Sequence, residues 1–185
     1  ASAADESDLI VLALVRERVS SEVVGALAEL LGDRFNTSFA RALGAGLVRK
    51  EGDLYAFSHG LLRDYLLGRV TPSRAPLLHA VAADALCVLV GREDVEEARG
   101  HHLRLAHRDR EAREALLSAA LWSWRRADRP ARERRLGQLV EWSMADDDRT
   151  MLVRALAELA QHHGEGGKLV EANATVDRLR EALTV

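Results

Sequence analysis

Residues 47–57, which read LVRKEGDLYAF, decide the fold of the N-terminal part of the chain. Apolar and aromatic residues occupy both ends of this stretch, and the segment Glu51-Gly52-Asp53 separates them. A short polar turn that contains glycine, placed between two such runs, is typical of a β-hairpin. The sequence therefore predicts two strands, at 47–50 and 54–57.

Three short helices are predicted before this hairpin. The first covers 9–18, and the second begins at a serine cap, Ser20 or Ser21, and ends at Gly32. The third covers 34–45. Three short helices followed by a two-stranded hairpin is the order of elements in a winged helix, which is the fold we predict here.

The chain beyond the hairpin is predicted to be helical. Ser58 is a good N-cap for the next helix, and Thr71-Pro72 is a cap and first-turn proline for the one after it. Apolar residues at helical spacing predict one buried stripe on each helix. The stripes are Leu61, Leu62, Tyr65 and Leu66 on the first, and Leu77, Leu78, Val81, Ala82, Ala85, Leu86 and Leu89 on the second.

Five further helices follow, separated by short polar connections. They are predicted at 95–107, 110–127, 130–144, 149–163 and 168–183. The apolar stripe of the last is formed by Leu169, Ala172, Val176, Leu179 and Leu183. Connections this short make consecutive helices antiparallel. The hairpins 110–144 and 149–183 each have about 35 residues, the size of a tetratricopeptide (TPR) unit.

The predicted fold class is therefore mainly α, with two domains. A winged-helix domain with a small β-hairpin covers 1–70, and antiparallel α-helical hairpins, TPR-like repeats, cover 71–185.

The composition is that of a globular protein, with 185 residues, 48% of them apolar, and a formal net charge of −3. This near balance of charge gives no electrostatic reason for a nucleic-acid or membrane partner. No apolar run approaches the roughly 18 residues of a membrane span. Cys87 is the only cysteine, which excludes a disulfide framework and a multi-cysteine zinc site. The chain opens with Ala1-Ser2-Ala3-Ala4 and lacks the features of a signal peptide, so we expect a cytoplasmic fragment of a longer protein.

The motifs that carry chemistry elsewhere are incomplete here. The segment 164–168, GEGGK, lacks the glycine spacing and the Ser or Thr of a phosphate-binding loop. The histidines at 101, 102 and 107 are not paired at i, i+4, so no metal site is expected, and His162-His163 beside a glycine turn is expected to be solvated. Cys87 lies in an apolar stripe and is expected to be a buried, inert thiol. We expect no enzymatic activity from this chain.

Two tryptophans are candidates for a partner-binding surface. Trp124 shares the helical phase of Leu117 and Leu121, which predicts a core position. Trp122 lies about two-thirds of a turn away from it, and Trp122 or Trp142 can line a groove, because tryptophan is enriched at binding surfaces. Packing within the hairpins is the alternative for both.

His59 is the candidate for an anion contact. It falls at the first position of the predicted helix after the hairpin, where free backbone N–H groups and the helix dipole favour an anion. An imidazole placed there can donate a hydrogen bond to a phosphate oxygen. The alternative is that His59 bonds a backbone carbonyl and only fixes the junction between hairpin and helix.

The segment 55–66, YAFSHGLLRDYL, carries a resemblance to a known family, together with Pro72 to Arg74, Leu78-His79 and the residues 82–86, AADAL. It resembles the end of the winged-helix domain in bacterial STAND-type signalling ATPases, which are AAA-related regulators. Helical repeats of tetratricopeptide type follow that domain in the family.

The resemblance implies a role for the parent protein and for two residues. The parent would bind ATP or ADP on an upstream P-loop domain of the same chain; the present sequence contains no such motif. His59 matches the histidine that, in related ATPases, touches the β-phosphate of ADP and holds a closed state. Arg63 matches the arginine of the same motif and is the second candidate for nucleotide contact.

The leading functional prediction is a non-catalytic regulatory segment that couples nucleotide state to the sensing of a protein or small ligand by the helical repeats. A plain TPR-like protein-interaction scaffold is the first alternative. A DNA-binding winged helix is the second, with donors on the third helix and the hairpin: Arg34, Asn36, Thr37, Ser38, Arg41, Arg49 and Lys50. The neighbouring acids Asp33, Glu51 and Asp53 weaken that phosphate footprint.

Overall fold

The computed structural model describes residues 3–89 and 93–184. The described residues fall into two units, one within Ala1–Val90 and His101–Arg108 and the other within Gly91–Gly100 and Asp109–Val185. Within the described ranges no helix combines the length and the apolar character needed to cross a bilayer. The elements, in chain order, are α1 (Ala3–Val15), β1 (Arg18–Ser20), α2 (Ser21–Leu31), α3 (Asp33–Gly44), β2 (Val48–Glu51), β3 (Leu54–Phe57), α4 (Gly60–Gly68), α5 (Ala75–Leu86), a 3₁₀ turn (Cys87–Leu89), α6 (Glu93–Leu105), α7 (Asp109–Arg125), α8 (Arg129–Ala145), α9 (Arg149–Glu165) and α10 (Leu169–Thr184).

The first unit contains the predicted hairpin and one additional strand. β2 and β3 pair antiparallel, with Lys50 opposite Tyr55, which confirms the hairpin. β1, which the sequence analysis did not predict, pairs with the other edge of β3 and places Val19 opposite Tyr55. The sheet order is thus β1-β3-β2.

The core of this unit is formed by α1, α2, α3 and α5 around the sheet. The apolar run of α1 is almost fully buried, as are Leu27 on α2 and Phe35 on α3. Phe35 stacks on Phe39, whose ring in turn meets the edge of Tyr55 from β3. The two phenylalanines, one helical turn apart on α3, therefore pack against β3 and hold the hairpin in its orientation.

Three predicted helix starts are wrong. The first helix, predicted at 9–18, covers Ala3–Val15, and Arg18 begins the strand β1. Ser58 does not cap α4, because its hydroxyl donates instead to the carbonyl of Gly46 and closes the base of the hairpin. His59 is the N-cap. α5 begins at Ala75 and not at Pro72, because the Arg74 N–H bonds the Thr71 carbonyl in a separate turn before it.

The second unit contains a helical array with a strict period. α7, α8, α9 and α10 begin at residues 109, 129, 149 and 169, so that each helix and its turn occupy 20 residues. The five predicted helices 95–107 to 168–183 are confirmed, with ends within two residues. One helical hairpin with its turns spans 40 residues, which is longer than the 34 of a tetratricopeptide unit.

The same turn recurs at every step of the array. The second residue after α7, α8 and α9 (Ala127, Asp147 and Gly167) has a positive φ of 57°, 53° and 70°. The next N–H bonds a carbonyl five residues back: Asp128 to Ser123, Asp148 to Ser143 and Lys168 to His163. This is the Schellman motif that ends helices. It reverses the chain in three residues and makes neighbouring helices antiparallel.

Contacts between helix ends confirm the antiparallel arrangement. Arg132 in the first turn of α8 pairs with Glu165 at the end of α9 at 3.1 Å. Arg149 at the start of α9 donates to the Ala182 carbonyl near the end of α10 at 2.7 Å. On α10 the predicted stripe is only partly correct, because Leu179 packs against the core while Leu183 is 59% exposed.

Replacing Ala127 with glycine is expected to stabilise the second unit by about 0.5–1 kcal/mol. An L-residue in the left-handed region pays a steric cost that glycine does not, and this gain exceeds the added entropy of the unfolded chain. Denaturant midpoints followed by tryptophan fluorescence measure the change, because all three tryptophans lie in α7 and α8.

Ala174→Gly is the matched control for this prediction. Ala174 is exposed inside α10, where glycine is expected to cost about 1 kcal/mol. If Ala127→Gly lost as much stability as the control, the backbone of Ala127 would not be strained at the turn.

Candidate functional site

The N-terminus of α4 is the site that the sequence analysis singled out. The structure places His59 one position earlier than predicted, at the N-cap, with extended backbone angles (φ −136°, ψ 130°). Its side chain makes no capping hydrogen bond, and the first turn of α4 carries no acidic residue. His59 is exposed, and a Cβ built on Gly60 meets no atom within 4 Å. The helix terminus is therefore open to solvent and favours an anion through its dipole.

Arg63 lies one turn along the same helix. It is half-buried, and its Nε donates to the carbonyl of Ala13, near the end of α1, at 3.1 Å. Ala13 is among the last residues of α1, where carbonyls lack partners within the helix. Arg63 thus fastens α4 to α1. Because residues four apart share a helix face, Arg63 and His59 lie on the same side of α4.

The predicted apolar stripe of α4 is largely exposed. Only Leu66 is buried, whereas Leu61 is 83% and Tyr65 59% exposed. Helical periodicity correctly groups these residues on one helix, but no described element covers Leu61 and Tyr65. An apolar surface therefore adjoins the open N-terminus.

Two of the predicted DNA donors of α3, Arg34 and Ser38, bond a buried carboxylate of the first unit, although only Ser38 is itself buried. Arg34 pairs with the buried Asp8 at 2.7 Å, and the Ser38 hydroxyl donates to the same carboxylate at 3.0 Å. Thr37 bonds the backbone of Asp33, at the start of α3. The Asp8 carboxylate is almost completely desolvated, which explains why two donors converge on it.

The hairpin donors are engaged as well. Arg49 pairs with Glu51 at 2.7 Å, and the Lys50 ammonium lies 5.7 Å from the centre of the Tyr55 ring. Asn36 and Arg41 remain exposed on α3. The four cations of α3 and the hairpin are all exposed, and Arg34 and Arg49 also pair with acidic residues.

The tryptophans do not follow the predicted division. Trp124, expected in the core, is 54% exposed, and the Arg132 guanidinium lies 5.9 Å from its ring centre. Trp122 is half-buried, with the Arg125 guanidinium 4.9 Å from its ring centre. Trp142 packs partly against the core of the second unit. Trp122 and Trp142 hold the same position in consecutive 20-residue steps, so the antiparallel arrangement places them at opposite ends of the hairpin that α7 and α8 form.

Trp124 borders a cavity of about 150 Å³ that the sequence analysis did not anticipate. The cavity lies at the start of α8, and the described residues that line it include Ser123, Asp128, Arg132, His162 and Glu165. Arg132 is 3% exposed and pairs with Glu158 and Glu165, both at 3.1 Å. Burial, and secondarily the Arg132 charge, lowers the pKa of His162 below its ordinary value.

His162 and His163 are buried and not solvated as predicted. His163 lies between Thr175 and Glu133, at 3.3 Å from each, and Lys168 pairs with the same Glu133 at 2.8 Å. The Lys168 hydrogen bond, more than any other contact, lowers the pKa of Glu133. These groups connect α8, α9 and α10.

Two further predictions concern metal ligands and the cysteine. In the part of the chain that the structure describes, no three His, Cys, Asp or Glu side chains converge in a way that would hold a metal ion. The prediction of a buried thiol is wrong, because Cys87 is exposed at the first position of the 3₁₀ turn after α5. The helix ends one residue before Cys87, so the stripe that buries Leu86 does not continue to it.

The chain was compared with models of protein families, with curated proteins and with solved structures. No family model, no curated protein and no solved structure matches it.

Proposed function

We propose that the chain is a non-catalytic regulatory segment of a STAND-type signalling ATPase. In this proposal the first part is a winged-helix domain and the second a TPR-like repeat region. The order α1-β1-α2-α3-β2-β3, with the sheet order β1-β3-β2, supports the winged-helix assignment. The paired antiparallel helices support a repeat region, with a unit of 40 residues in place of 34.

The open N-terminus of α4 is the observation that carries the nucleotide part of the proposal. An exposed histidine at an uncapped helix start offers an imidazole donor and a favourable dipole to a phosphate. The phosphate would belong to ADP held on an upstream P-loop domain of the same protein. Arg63, on the same face of α4, would support the contact while it ties α4 to α1.

The proposed mechanism is a two-state switch. ADP that contacts both the ATPase domain and His59 stabilises a closed state, and a protein or small ligand on the helical repeats favours an open one. Each ligand shifts the equilibrium only by its difference in affinity for the two states. Arg34 and Ser38 already bond Asp8, so fewer donors of α3 are available for DNA. The proposed mechanism therefore includes no contact with DNA.

The substitution His59→Ala, made in the protein that carries the P-loop domain, tests the proposal. Loss of a hydrogen bond to phosphate is worth about 1–3 kcal/mol, so ADP affinity is expected to fall about 5- to 150-fold. Basal activity is expected to rise as the closed state loses population. Isothermal titration with ADP and an activity assay without partner measure the two effects.

His107→Asn is the matched control for this substitution. His107 is exposed and has a left-handed backbone, which asparagine also adopts, so ADP affinity should not change. Unaltered ADP affinity in a folded His59→Ala protein would overturn the sensor role. A loss of stability without a change in affinity would instead assign His59 to the hairpin–helix junction.

A ligand-binding scaffold without nucleotide coupling is the second candidate. The exposed Trp124 at the edge of a polar cavity favours it, because tryptophan commonly anchors partners. A partner that binds the repeats with equal affinity in the presence and absence of ADP would support this candidate over the switch.

A further inference from the structure

Two histidines are paired in the interior of the first unit. His79 on α5 and His102 on α6 are each 9% exposed, and their Nδ1 atoms lie 2.8 Å apart. The ring centres are separated by 5.1 Å, with 30° between the ring planes. At this distance the two nitrogens share one hydrogen, because a hydrogen bond needs one donor and one acceptor.

A second hydrogen bond fixes which histidine donates. His102 is also hydrogen-bonded to the backbone of Val15, at the end of α1. Since Nδ1 faces His79, this bond uses the other ring nitrogen, whose N–H donates to the Val15 carbonyl. A neutral imidazole has a single N–H. Nδ1 of His102 is therefore the acceptor, and Nδ1 of His79 is the donor.

The nearby charges oppose a proton on this acceptor. Burial is the main cause that lowers the pKa of His102 to about 4, and the charges of His79, His101 and Arg16 lower it further. The Val15 carbonyl acts in the opposite direction. Burial also lowers the pKa of His79.

Carboxylates on the surrounding helices are paired with arginines or exposed, and one of these pairs, Asp84–Arg108, also ties the segment 101–108 to α5. Asp84 on α5 pairs with Arg108 at 2.6 Å, and Asp8 on α1 pairs with Arg34. The acidic residues Glu22 and Glu29 on α2, which also packs against α5, are exposed. The 3₁₀ turn after α5 contributes no charged side chain.

We propose that the His79–His102 pair is a proton-operated latch that holds residues 101–108 against α1 and α5 and releases them in mildly acidic solution. A proton on Nδ1 of His102 would place two N–H groups face to face and abolish the bond. Protonation of His79 at its other nitrogen leaves its Nδ1–H donor intact. His102 is therefore the group that senses the proton.

The direction of the pH dependence follows from the lowered pKa. Between its ordinary value of 6.5 and about 4, the released form binds a proton that the latched form does not. The latch is fully closed above pH 6.5 and weakens as the pH falls towards 4. For the titration of His102 alone, the equilibrium constant for release of 101–108 is expected to increase about 20-fold between pH 7 and pH 5.

Hydrogen exchange on the full 185-residue chain tests the latch, with rates corrected for the intrinsic effect of pH. Amides in 101–108 are expected to lose about 20-fold in protection between pH 7 and pH 5. In His102→Gln the segment opens more at both pH values, and the pH dependence falls to the part that the lowered pKa of His79 contributes. His101→Gln, one residue away and exposed, retains most of the dependence, because His101 is only a minor cause of the lowered pKa of His102.

Equal protection of 101–108 at pH 7 and pH 5 in the wild type would overturn the proposal. So would a His102→Gln protein that keeps the 20-fold change. If that variant does not fold, a titration of the wild-type histidine resonances decides: a pKa of His102 near 4 supports the latch, and a value near 6.5 contradicts it.

Discussion

Arg113→Ala is expected to lower the free energy of unfolding of the second unit by about 3 kcal/mol. Arg113 lies on α7, is 6% exposed, and donates to Asp148 through Nε at 3.0 Å and to Asp146 through Nη1. Removal of the guanidinium leaves two partly buried carboxylates next to each other without their cation. Asp148 also caps α9 by accepting from the Met151 N–H, so the loss falls on the turn between α8 and α9.

Urea unfolding followed by tryptophan fluorescence measures this loss, and Arg110→Ala is the control. Arg110 lies on the same helix and pairs with Glu114 at 3.1 Å, but its side chain is 86% exposed. Exposed pairs of this kind contribute about 0.3–0.5 kcal/mol. Equal and small effects of the two substitutions would mean that the Arg113 cluster does not stabilise the array.

Leu139→Ala is expected to destabilise the second unit by about 3–4 kcal/mol. Leu139 on α8 is fully buried and belongs to a cluster with Leu116 on α7 and Leu156 on α9. Truncation removes apolar area from the core and leaves a cavity in contact with three helices. The turns at both ends hold the three helices in place, so the surrounding side chains can move only slightly. The cavity therefore closes only in part.

Leu183→Ala is the matched control for the core substitution, because Leu183 is 59% exposed on the last helix. We expect it to change the unfolding free energy by less than about 0.5 kcal/mol. The same fluorescence measurement serves both variants. A cost below about 1 kcal/mol for Leu139→Ala would show that α7, α8 and α9 do not share a tight core.

The helices α6 to α10 were predictable because their signals are local. Short polar connections and sustained helical periodicity place the ends of α6 to α10 within two residues. β1 was missed because it has three residues, RVS, with only Val19 buried, and it becomes a strand by pairing with β3. Periodicity cannot detect so short an element.

The site was less predictable, because exposure depends on which element covers a helix face. Periodicity groups Leu61 with Tyr65, and Trp124 with Leu117, but it does not show whether another helix packs there. Leu117 is buried while Trp124, near the end of α7, is exposed. The His79–His102 pair joins residues 23 positions apart, which neither local sequence fixes.

The 20-residue step of α7 to α10 limits how such an array can grow. Duplication or deletion of one step would reverse the direction of every helix that follows, and would move the C-terminal ends of those helices to the opposite side. A change of 40 residues restores both the direction and the turn. Insertions that keep the direction of the following helices must therefore add pairs of helices. The unit by which this region can be lengthened is the helical hairpin and not the single helix.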